Sequence, residues 1–418
     1  KCTPTHCFSL YLATFSTTIT TGIKNRMMKI AYLDPYPVPD LRVASLQILQ
    51  NVDAFARAGA QVTLVTPKGQ YRDSDILGRD IHSNARLIAL RDIRRKWYFP
   101  FNSQKLFSLQ IARWLKQHPV DALFTRNLKL ACYLAENHAD IPLFFESHEI
   151  FAQSFAESHS FETKKNRLKY HKLLKMEKLV YSRATAVFVL TSLLRDDIIS
   201  QYQVTTPITI VPDGVDLYAA DSNKDSHRDI TATTNNVTEV LYLGSLHKWK
   251  GIPTMMRAMK YLDNARLNIA GGTAEQIKGL QLLAKEMDVK EKVNFLGFID
   301  PKQRFQAIAQ HDICVLPLTL TSIGSRYTSP LKLFEYMAMR KPVVISDFPS
   351  IRDVVDEKAV SFADSGDAQS FAQQIKLLRE EPQRTSEKIN HARSLVENYY
   401  NWDKRAETIL HTINKLIS

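Results

Sequence analysis

The stretch KIAYLDPYPVPDLRVASLQILQNVDAFARAGAQVTLVTP, residues 29–67, has two apolar runs on either side of a helical pattern. KIAYLD and QVTLVTP are apolar almost throughout, as are strands that helices cover on both faces. Between them, from about Ser45 to Arg57, apolar residues recur with the helical period, and Gly59 ends the pattern. These apolar positions are Leu46, Leu49, Val52 and Ala56. The stretch therefore predicts a βαβ unit of a parallel sheet.

The same alternation continues along the chain in two blocks. The first block contains the strand patterns VDALFTRN, PLFFESHE, ATAVFVLTS and PITIVPDGV, and the second starts with EVLYLGS after a polar stretch. This pattern predicts an α/β protein of two doubly wound, Rossmann-like domains with a cleft between them, and ligands beyond the carboxyl ends of the strands. The expected divisions are an N-terminal extension outside the fold (1–26), a first domain (27–215), a linker (216–236), a second domain (237–395) and a C-terminal helix crossing back to the first domain (396–418). Ile409, Leu410, Ile413 and Leu416 are the expected packing positions of that helix.

Composition excludes several classes of protein. With 418 residues, 44% hydrophobic and 23% charged, the chain has globular values, and its apolar runs fall far short of the roughly 20 residues of a membrane-spanning helix. The net charge of +12 favours an anionic partner such as a nucleotide or a lipid headgroup. No nucleic-acid-binding module is recognisable, so nucleic acid is not expected. The four scattered cysteines lack metal-ligand spacing and fit a reducing cytoplasm.

The start of the fold is expected near two consecutive methionines. Met27 and Met28 directly precede the first strand pattern, whereas residues 1–26 are Thr-rich and have no clear small-residue cleavage site. We therefore expect the natural start of the protein there, with the preceding segment upstream of it.

A second stretch, SRYTSPLKLFEYMAMRKPVVISD at 325–347, places Lys332 and Glu335 on one face of an otherwise apolar helix. Ser329 suits the N-cap position and is followed by a proline, so the helix is expected to begin there. Unpaired N–H groups and the dipole at such a helix end attract an anion. A diphosphate on the amides of Leu331 and its neighbour would leave Glu335 one turn along, about 5 Å away, within reach of a ribose. An (i, i+3) surface ion pair worth about 0.3 kcal/mol is the alternative.

Five segments, in order, resemble the motifs of the family 4 retaining glycosyltransferases with the GT-B fold. They are VPDGVD (211–216), YLGSLHKWKG (242–251), LNIAGG (267–272), VNFLGF (293–298) and SPLKLFEYMAMRKPVVISD (329–347). The resemblance implies transfer of a glycosyl group from a nucleotide-sugar to a hydroxyl, with retention at the anomeric carbon. It implies no cofactor, because the nucleotide-diphosphate-sugar is the donor substrate.

The resemblance also implies which residues form the site. Lys250 would contact the donor diphosphate and Glu335 would hold the ribose, both as catalytic residues. The donor site would also include Gly244, Ser245, Lys248, Gly272, Ser329, Leu331 and Lys332. His148 resembles the histidine that the family places near the transferred sugar, for hydrogen bonding and charge stabilisation, although a structural histidine is the alternative. Arg126 is a second candidate at the cleft edge. Gly271 and Gly272 follow an apolar strand and could let a nucleotide approach the backbone closely, and a simple tight turn is the alternative.

Two positions depart from the family pattern. Ser245 stands where an arginine commonly contacts the diphosphate, and Lys248 or Lys332 is the expected substitute. Tyr327 stands where the first glutamate of the E-x7-E motif usually touches the donor sugar. These departures leave open a catalytically weak or inactive GT-B partner subunit, and a GT-B nucleotide-sugar epimerase is a further alternative.

Two basic segments of the first domain point to the acceptor. RDIRRKWYFPFNSQK at 91–105 interleaves cations with aromatic residues, and KKNRLKYHKLLKMEK at 164–178 has the pattern of a basic helix. Its residues available for burial are Leu168, Leu173, Leu174 and Val180. Such surfaces are typical of proteins that rest on anionic lipid headgroups, so we expect a lipid-linked or membrane-proximal glycan acceptor. The solvated face of a core helix is the alternative.

The resemblance and the basic segments together imply a cytoplasmic, retaining glycosyltransferase that acts on polysaccharide, lipopolysaccharide or capsule precursors. A peripheral contact with the inner face of the membrane is a further hypothesis. Asp73, Ser74 and Asp75 would suit a metal-dependent glycosyltransferase of the other major fold, but they lie in a polar run rather than at the end of a buried strand. No metal is therefore assigned.

Overall fold

The computed structural model describes residues 27–92, 104–223, 237–321 and 323–418. Its framework is two parallel sheets, one in each half of the chain. The strands of the first sheet are β1 (Lys29–Leu33), β2 (Gln61–Pro67), β3 (Ala85–Leu90), β4 (Ala122–Thr125), β5 (Leu143–Ser147), β6 (Ala186–Val189) and β7 (Ile208–Ile210). The strands of the second sheet are β8 (Thr238–Leu243), β9 (Ala265–Ala270), β10 (Val293–Gly297), β11 (Ile313–Leu316), β12 (Val343–Ser346) and β13 (Ser361–Ala363).

Both sheets reverse their strand order next to their first strand. The first runs β3-β2-β1-β4-β5-β6-β7 and the second β10-β9-β8-β11-β12-β13, with all pairs parallel. In doubly wound sheets, ligands bind beyond the carboxyl ends of the strands at such a reversal. The expected positions are therefore between β1 and β4 and between β8 and β11. The predicted fold class, two doubly wound α/β domains, is confirmed.

Helices pack on both faces of each sheet. Ile30 and Tyr32 of β1 join one apolar cluster, whereas Ala31 and Leu33 join another on the opposite face, which explains why this strand is apolar throughout. The helices of the first half are α1 (Val43–Arg57), α2 (Asp73–Leu77), α3 (Lys105–Gln117), α4 (Leu128–Asn137), α5 (Phe151–Ser158), α6 (Lys164–Arg183), α7 (Ser192–Tyr202) and α8 (Leu217–Asp221). Those of the second half are α9 (Ile252–Ala258), α10 (Ala274–Glu286), α11 (Arg304–Ala309), α12 (Leu331–Ala338), α13 (Pro349–Arg352), α14 (Ala368–Glu380), α15 (Pro382–Asn398) and α16 (Trp402–Ile417). In the part of the chain that the structure describes, none of these helices is both long and apolar enough to cross a membrane.

The second domain starts earlier than the sequence predicts. The predicted linker at 216–236 begins with α8, because the Asp216 carboxylate accepts a hydrogen bond from the backbone N–H of Ala219 and caps this helix. Ala220 is buried in the apolar cluster of the second domain, and Asp221 pairs with Arg393 at 2.8 Å. Residues 224–236 lie outside the described residues.

The last helix packs against the first domain. The chain passes Val215, whose N–H donates to the carbonyl of Tyr400 at 3.0 Å, and then enters α16. Apolar residues of α16 share a cluster with α1. They are Trp402, Ala406, Ile409, Leu410 and Ile413. Leu416, which the pattern places in this contact, is instead 37% exposed, because it lies in the last turn of the helix.

Candidate functional site

Helix α12 begins one residue later than the sequence predicts. Its N-cap is Pro330, in an extended conformation, and no side chain caps the helix. The Ser329 hydroxyl instead accepts a hydrogen bond from the backbone N–H of Asp213 at 2.9 Å. Ser329 therefore connects the start of α12 to the interdomain segment rather than capping the helix.

Glu335 of α12 is buried between two cations. Lys332 Nζ donates to Glu335 Oε2 at 2.5 Å, and Arg304 Nε donates to Glu335 Oε1 at 3.0 Å. The (i, i+3) ion pair is therefore formed, but it lies in a buried setting with a second cation that the sequence did not reveal. Leu331, predicted for the donor site, packs its side chain against the apolar cluster of the first domain.

Lys250 faces the same region from the loop after β8. Its ammonium lies 3.8 Å from the centroid of the Trp249 ring, and Thr319 N–H and Oγ1 fix the loop by donating to the Trp249 carbonyl. Burial lowers the pKa of Lys250 to about 8, and the charge of Lys332 acts in the same direction. No carboxylate pairs with Lys250 among the described residues. Two neighbouring cations, only one of them neutralised, suit an anion at the start of α12.

The glycines after β8 and β9 bring the two strand ends into contact. Gly271 has φ +118° and Gly272 has φ +83°, both in the region that favours glycine. A Cβ on Gly271 would lie 2.0 Å from the Gly244 carbonyl oxygen. Both glycines therefore have the backbone that a tight turn requires, and the donor-site role of Gly272 stays a prediction. Ser245 and Lys248, also predicted for the donor site, are exposed in the loop after β8.

In the first domain, His148 follows β5 and both of its ring nitrogens are engaged. Nε2 lies 2.5 Å from Glu146 Oε1 and Nδ1 lies 3.1 Å from Arg126 Nη2. Because Arg126 can only donate, His148 Nδ1 accepts and Nε2–H donates to Glu146. Burial lowers the pKa of His148 to about 4, and the charge of Arg126 adds to this. His148 is therefore neutral near pH 7, and the cation beside it is Arg126. Its role at the transferred sugar stays a prediction.

Glu146 is anchored by a cation from the far end of the chain. Arg405 of α16 forms an ion pair with it, with Nη2 2.9 Å from Glu146 Oε2, and both side chains are buried. Arg405 Nε also donates to the Pro212 carbonyl at 3.1 Å, and Nη1 donates to the side chain of Asn51. Burial would raise the pKa of Glu146, but Arg405 and His148 outweigh it and hold the pKa well below its usual range. No local sequence pattern indicates this pair.

A chain of hydrogen bonds joins the two halves of the site. Arg126 Nη1 donates to Gln47 Oε1 at 3.0 Å, and Gln47 Nε2 donates to Asp213 Oδ2 at 3.1 Å. Asp213 N–H in turn donates to Ser329 at the start of α12. Burial raises the pKa of Asp213 to about 7, although Arg405 opposes this. The chain places His148 and α12 at two ends of one connected polar network.

A cavity of about 210 Å³ opens beside His148. The connection between β1 and α1 and the ends of β4 and β5 border it, which is the position expected from the strand reversal. Asp34, Tyr36, Arg126, His148 and Glu149 are among the polar groups that line it. Arg126 and His148, predicted for the cleft edge, therefore lie side by side in this cavity.

Tyr327, at the position that departs from the family pattern, turns into the first domain. Its ring is buried in an apolar cluster with Tyr181, and its hydroxyl lies 2.7 Å from Gln153 Oε1 and 2.8 Å from Asp197 Oδ2. The preceding Arg326 pairs with Asp197 at 2.7 Å. These contacts fix one edge of the second domain against the first, and they occupy the Tyr327 side chain.

The acids that the sequence offered for a metal site have local partners. Asp73 and Asp75 lie in the short helix α2 rather than at the end of a buried strand. Asp73 accepts a hydrogen bond from the Ile81 N–H, and Asp75 accepts one from the Arg72 N–H. Both carboxylates therefore have a local structural role.

Each half of the chain matches a family model of glycosyltransferases. Residues 45–218 match the family model described as Glycosyltransferase Family 4, and residues 238–381 match the one described as Glycosyl transferases group 1. An uncharacterized glycosyltransferase of Methanocaldococcus jannaschii is 25% identical over 189 residues, which are 43% of this chain and 47% of that protein. A second one from the same organism is 21% identical over 260 residues, 61% of this chain and 64% of that protein. The chain thus matches about half to two thirds of the length of these relatives.

Several solved structures share the fold over more than nine tenths of this chain. The sucrose-phosphate synthase of Thermosynechococcus elongatus superposes with a TM-score of 0.72 at 19% identity, over 93% of this chain and 99% of that one. HepE of Anabaena, solved with UDP-glucose, gives a TM-score of 0.68 at 15% identity, over 93% and 100%. WaaG, a glycosyltransferase involved in lipopolysaccharide biosynthesis, gives 0.63 at 15% identity, over 91% and 99%. Because the two family models together match most of both domains, and the fold agrees throughout, the chain belongs to the family 4 glycosyltransferases with the GT-B fold.

Proposed function

We propose that this protein is a retaining glycosyltransferase that moves a sugar from a nucleotide-sugar donor to the hydroxyl of a glycan or lipid-linked acceptor. The observation that carries the proposal is the pair of cations, Lys250 and Lys332, at the N-terminus of α12. Lys250 has no acidic partner among the described residues, and an anion would relieve its unfavourable burial. A nucleoside diphosphate bound here would place Glu335 near its ribose. HepE, a structural neighbour, has been solved with UDP and with UDP-glucose.

In this proposal, catalysis is electrostatic. Negative charge develops on the departing diphosphate, and Lys250, Lys332 and the amides at the start of α12 would stabilise it. Lys332 would turn from Glu335 toward the diphosphate and leave the carboxylate free to accept from ribose hydroxyls, while Arg304 keeps the other oxygen in place. His148 and Arg126 would border the transferred sugar from the first domain, and the closed cleft would exclude water.

A thermal-shift screen of UDP, GDP, ADP and their sugars tests the proposal, and one base should raise the melting temperature. Glu335→Gln keeps the side-chain volume beside Arg304 but removes the charge that accepts from the ribose. We expect it to weaken nucleotide binding about 10- to 100-fold, the cost of losing charge-assisted hydrogen bonds. Glu286→Gln, on the exposed end of α10, is the matched control and should bind as the unchanged protein does. If no nucleotide binds, the partner-subunit alternative is favoured, and Tyr327 and Ser245 are the positions that support it.

The basic helix α6 supports an acceptor near a membrane. Its cations include Lys164, Lys165, Arg167, Lys169, Lys172, Lys175 and Lys178. Leu168, which the sequence pattern made available for burial, is instead 61% exposed among these cations, whereas Leu173 and Val180 pack in an apolar cluster. Cations around an exposed apolar side chain suit an anionic lipid surface. The aromatic residues of the other basic segment lie in 93–103, outside the described residues.

Flotation with anionic vesicles at low salt tests the membrane contact. We expect the protein to float with phosphatidylserine-containing vesicles. Lys165→Gln/Lys172→Gln should bind about 30-fold more weakly, since each cation near such a surface contributes about 1 kcal/mol. Lys278→Gln/Lys285→Gln, which removes two exposed cations from the second domain, should float as before. Equal loss in both variants would mean that only net charge matters, and no flotation at all would remove the membrane contact.

A further inference from the structure

One carboxylate at the cavity beside His148 has no basic partner among the described residues. Glu149 lines the cavity and is half-buried. Burial raises the pKa of Glu149, and the nearby Ser154 hydroxyl, which has no hydrogen-bond partner among the described residues, opposes this rise only in part. Removing a carboxylate from water without a cation is unfavourable, so such a group in a cavity indicates a binding role.

The two neighbouring buried acids have structural partners that Glu149 lacks. Glu146 is paired with Arg405 and His148. Glu177 of α6 accepts hydrogen bonds from the backbone N–H groups of Phe151 and Ala152 at the start of α5, at 2.6 and 3.2 Å. Glu146 and Glu177 are therefore needed to neutralise buried cations or to bind backbone N–H groups. The Glu149 carboxylate has no such partner among the described residues.

The backbone around Glu149 is fixed on both sides. The Ser147 hydroxyl donates to the Glu149 carbonyl at 3.0 Å, and Glu177 holds the amides that follow. Glu149 is thus positioned by a rigid support, which a substrate contact requires.

The same part of the first domain receives the side chain of Tyr327. Gln153, which contacts the Tyr327 hydroxyl, belongs to the helix that follows Glu149. Burial raises the pKa of Tyr181, and Glu149 and Tyr327 are among the nearby groups that add to this rise. The residue of the second domain that stands at the donor-sugar position is therefore occupied in the first domain and carries no carboxylate. Glu149, two residues before the start of the helix that contains Gln153, carries one on the side of the first domain.

We propose that Glu149 is a substrate-binding residue whose carboxylate accepts hydrogen bonds from hydroxyl groups of the transferred sugar. This inference rests on the proposed function, because it requires a nucleotide-sugar donor. A carboxylate has two oxygens and can accept from two adjacent hydroxyls of a sugar ring. It would bind the sugar and take no covalent part in the transfer.

Glu149→Gln tests the inference with the donor that the nucleotide screen identifies. Three quantities are measured: the Kd of the nucleoside diphosphate, kcat/KM for donor turnover, and kcat/KM for donor analogues that each lack one sugar hydroxyl. We expect an unchanged Kd for the nucleoside diphosphate, which also shows that the variant is folded. We expect kcat/KM for the full donor to fall about 10- to 100-fold, as for the loss of a charge-assisted hydrogen bond. Glu162→Gln, an exposed acid of the same domain, is the control and should behave as the unchanged protein does.

The deoxy donors distinguish contact with the sugar from a structural effect. One of them should lose activity on the unchanged protein but little further activity on Glu149→Gln, because the hydroxyl and the carboxylate form one interaction. If every deoxy donor loses the same factor on both proteins, or if Glu149→Gln turns over the full donor normally, the inference is wrong although the proposed function stands. If the unchanged protein binds no nucleoside diphosphate, both are wrong.

Discussion

Lys250→Met should lower the rate of donor turnover roughly 100- to 1,000-fold, the usual cost of removing one donor that stabilises developing negative charge. Methionine keeps the apolar stem of the side chain against the Trp249 ring and removes only the ammonium. The measurement is kcat/KM for the nucleotide-sugar together with the Kd of the nucleoside diphosphate. Lys260→Met removes an exposed cation from the same domain and should change neither value.

The pH dependence of nucleotide binding gives a second test of Lys250. Its pKa of about 8 means that the ammonium is charged below about pH 8 and loses its proton above it. Nucleoside diphosphate binding should therefore weaken as the pH rises from 7 to 9, and this weakening should be absent in Lys250→Met. Among the described residues, the groups that face Lys250 are the Trp249 ring and the Lys332 ammonium. Binding that stays constant from pH 7 to 9 in the unchanged protein would contradict a direct contact between Lys250 and the diphosphate.

The fold could be predicted because its signal is local. The residues of β1 are buried on both faces, so KIAYL is apolar at every position after Lys29, and α1 has its apolar residues at the helical period. Each βαβ unit repeats this local pattern, and two blocks of such units imply two domains. The polar stretch before β8 also indicated the boundary, although α8 begins the second domain before that stretch.

The site could be predicted only where its residues lie within one motif. Lys332 and Glu335 are three residues apart, and Lys250 lies in one loop after β8. Arg304 also contacts Glu335, but it comes from α11 and no spacing connects the two. Contacts between residues far apart in the chain depend on tertiary packing, and a single sequence carries no pattern for them.

The charge of His148 also depends on contacts that a single sequence does not reveal. The position of this residue after β5 was predictable, whereas its charge was not. The charge depends on burial and on Arg126 at the end of β4, which together lower the pKa of His148 to about 4. The position of the Tyr327 side chain was not predictable either. Its hydroxyl contacts Gln153 and Asp197, which belong to the other domain.

Arg405→Met should lower the free energy of unfolding by about 3–5 kcal/mol, since it leaves the buried Glu146 carboxylate without its cation. The side chain also donates to the Pro212 carbonyl and to Asn51, so the connection between α16, α1 and the interdomain segment weakens as well. Chemical denaturation measures the loss. Lys404→Met removes the adjacent cation, whose pair with Glu407 is exposed, and should cost less than about 1 kcal/mol.

The dependence of this loss on pH identifies its cause. In the unchanged protein, the pKa of Glu146 is lower folded than unfolded, so its stabilisation is complete above the unfolded pKa of about 4.3 and declines as the pH falls toward the folded value. In Arg405→Met, the buried Glu146 carboxylate has no cation. Lowering the pH protonates it, and the energetic cost of the unpaired charge falls. The difference in stability between the two proteins should therefore narrow between pH 7 and pH 4.

Glu146→Gln/Arg405→Met, which has no charge to neutralise, should be more stable than Arg405→Met at pH 7 and should show a smaller change with pH. A loss that is equal at both pH values would mean that packing around α16, rather than the ion pair with Glu146, determines the effect.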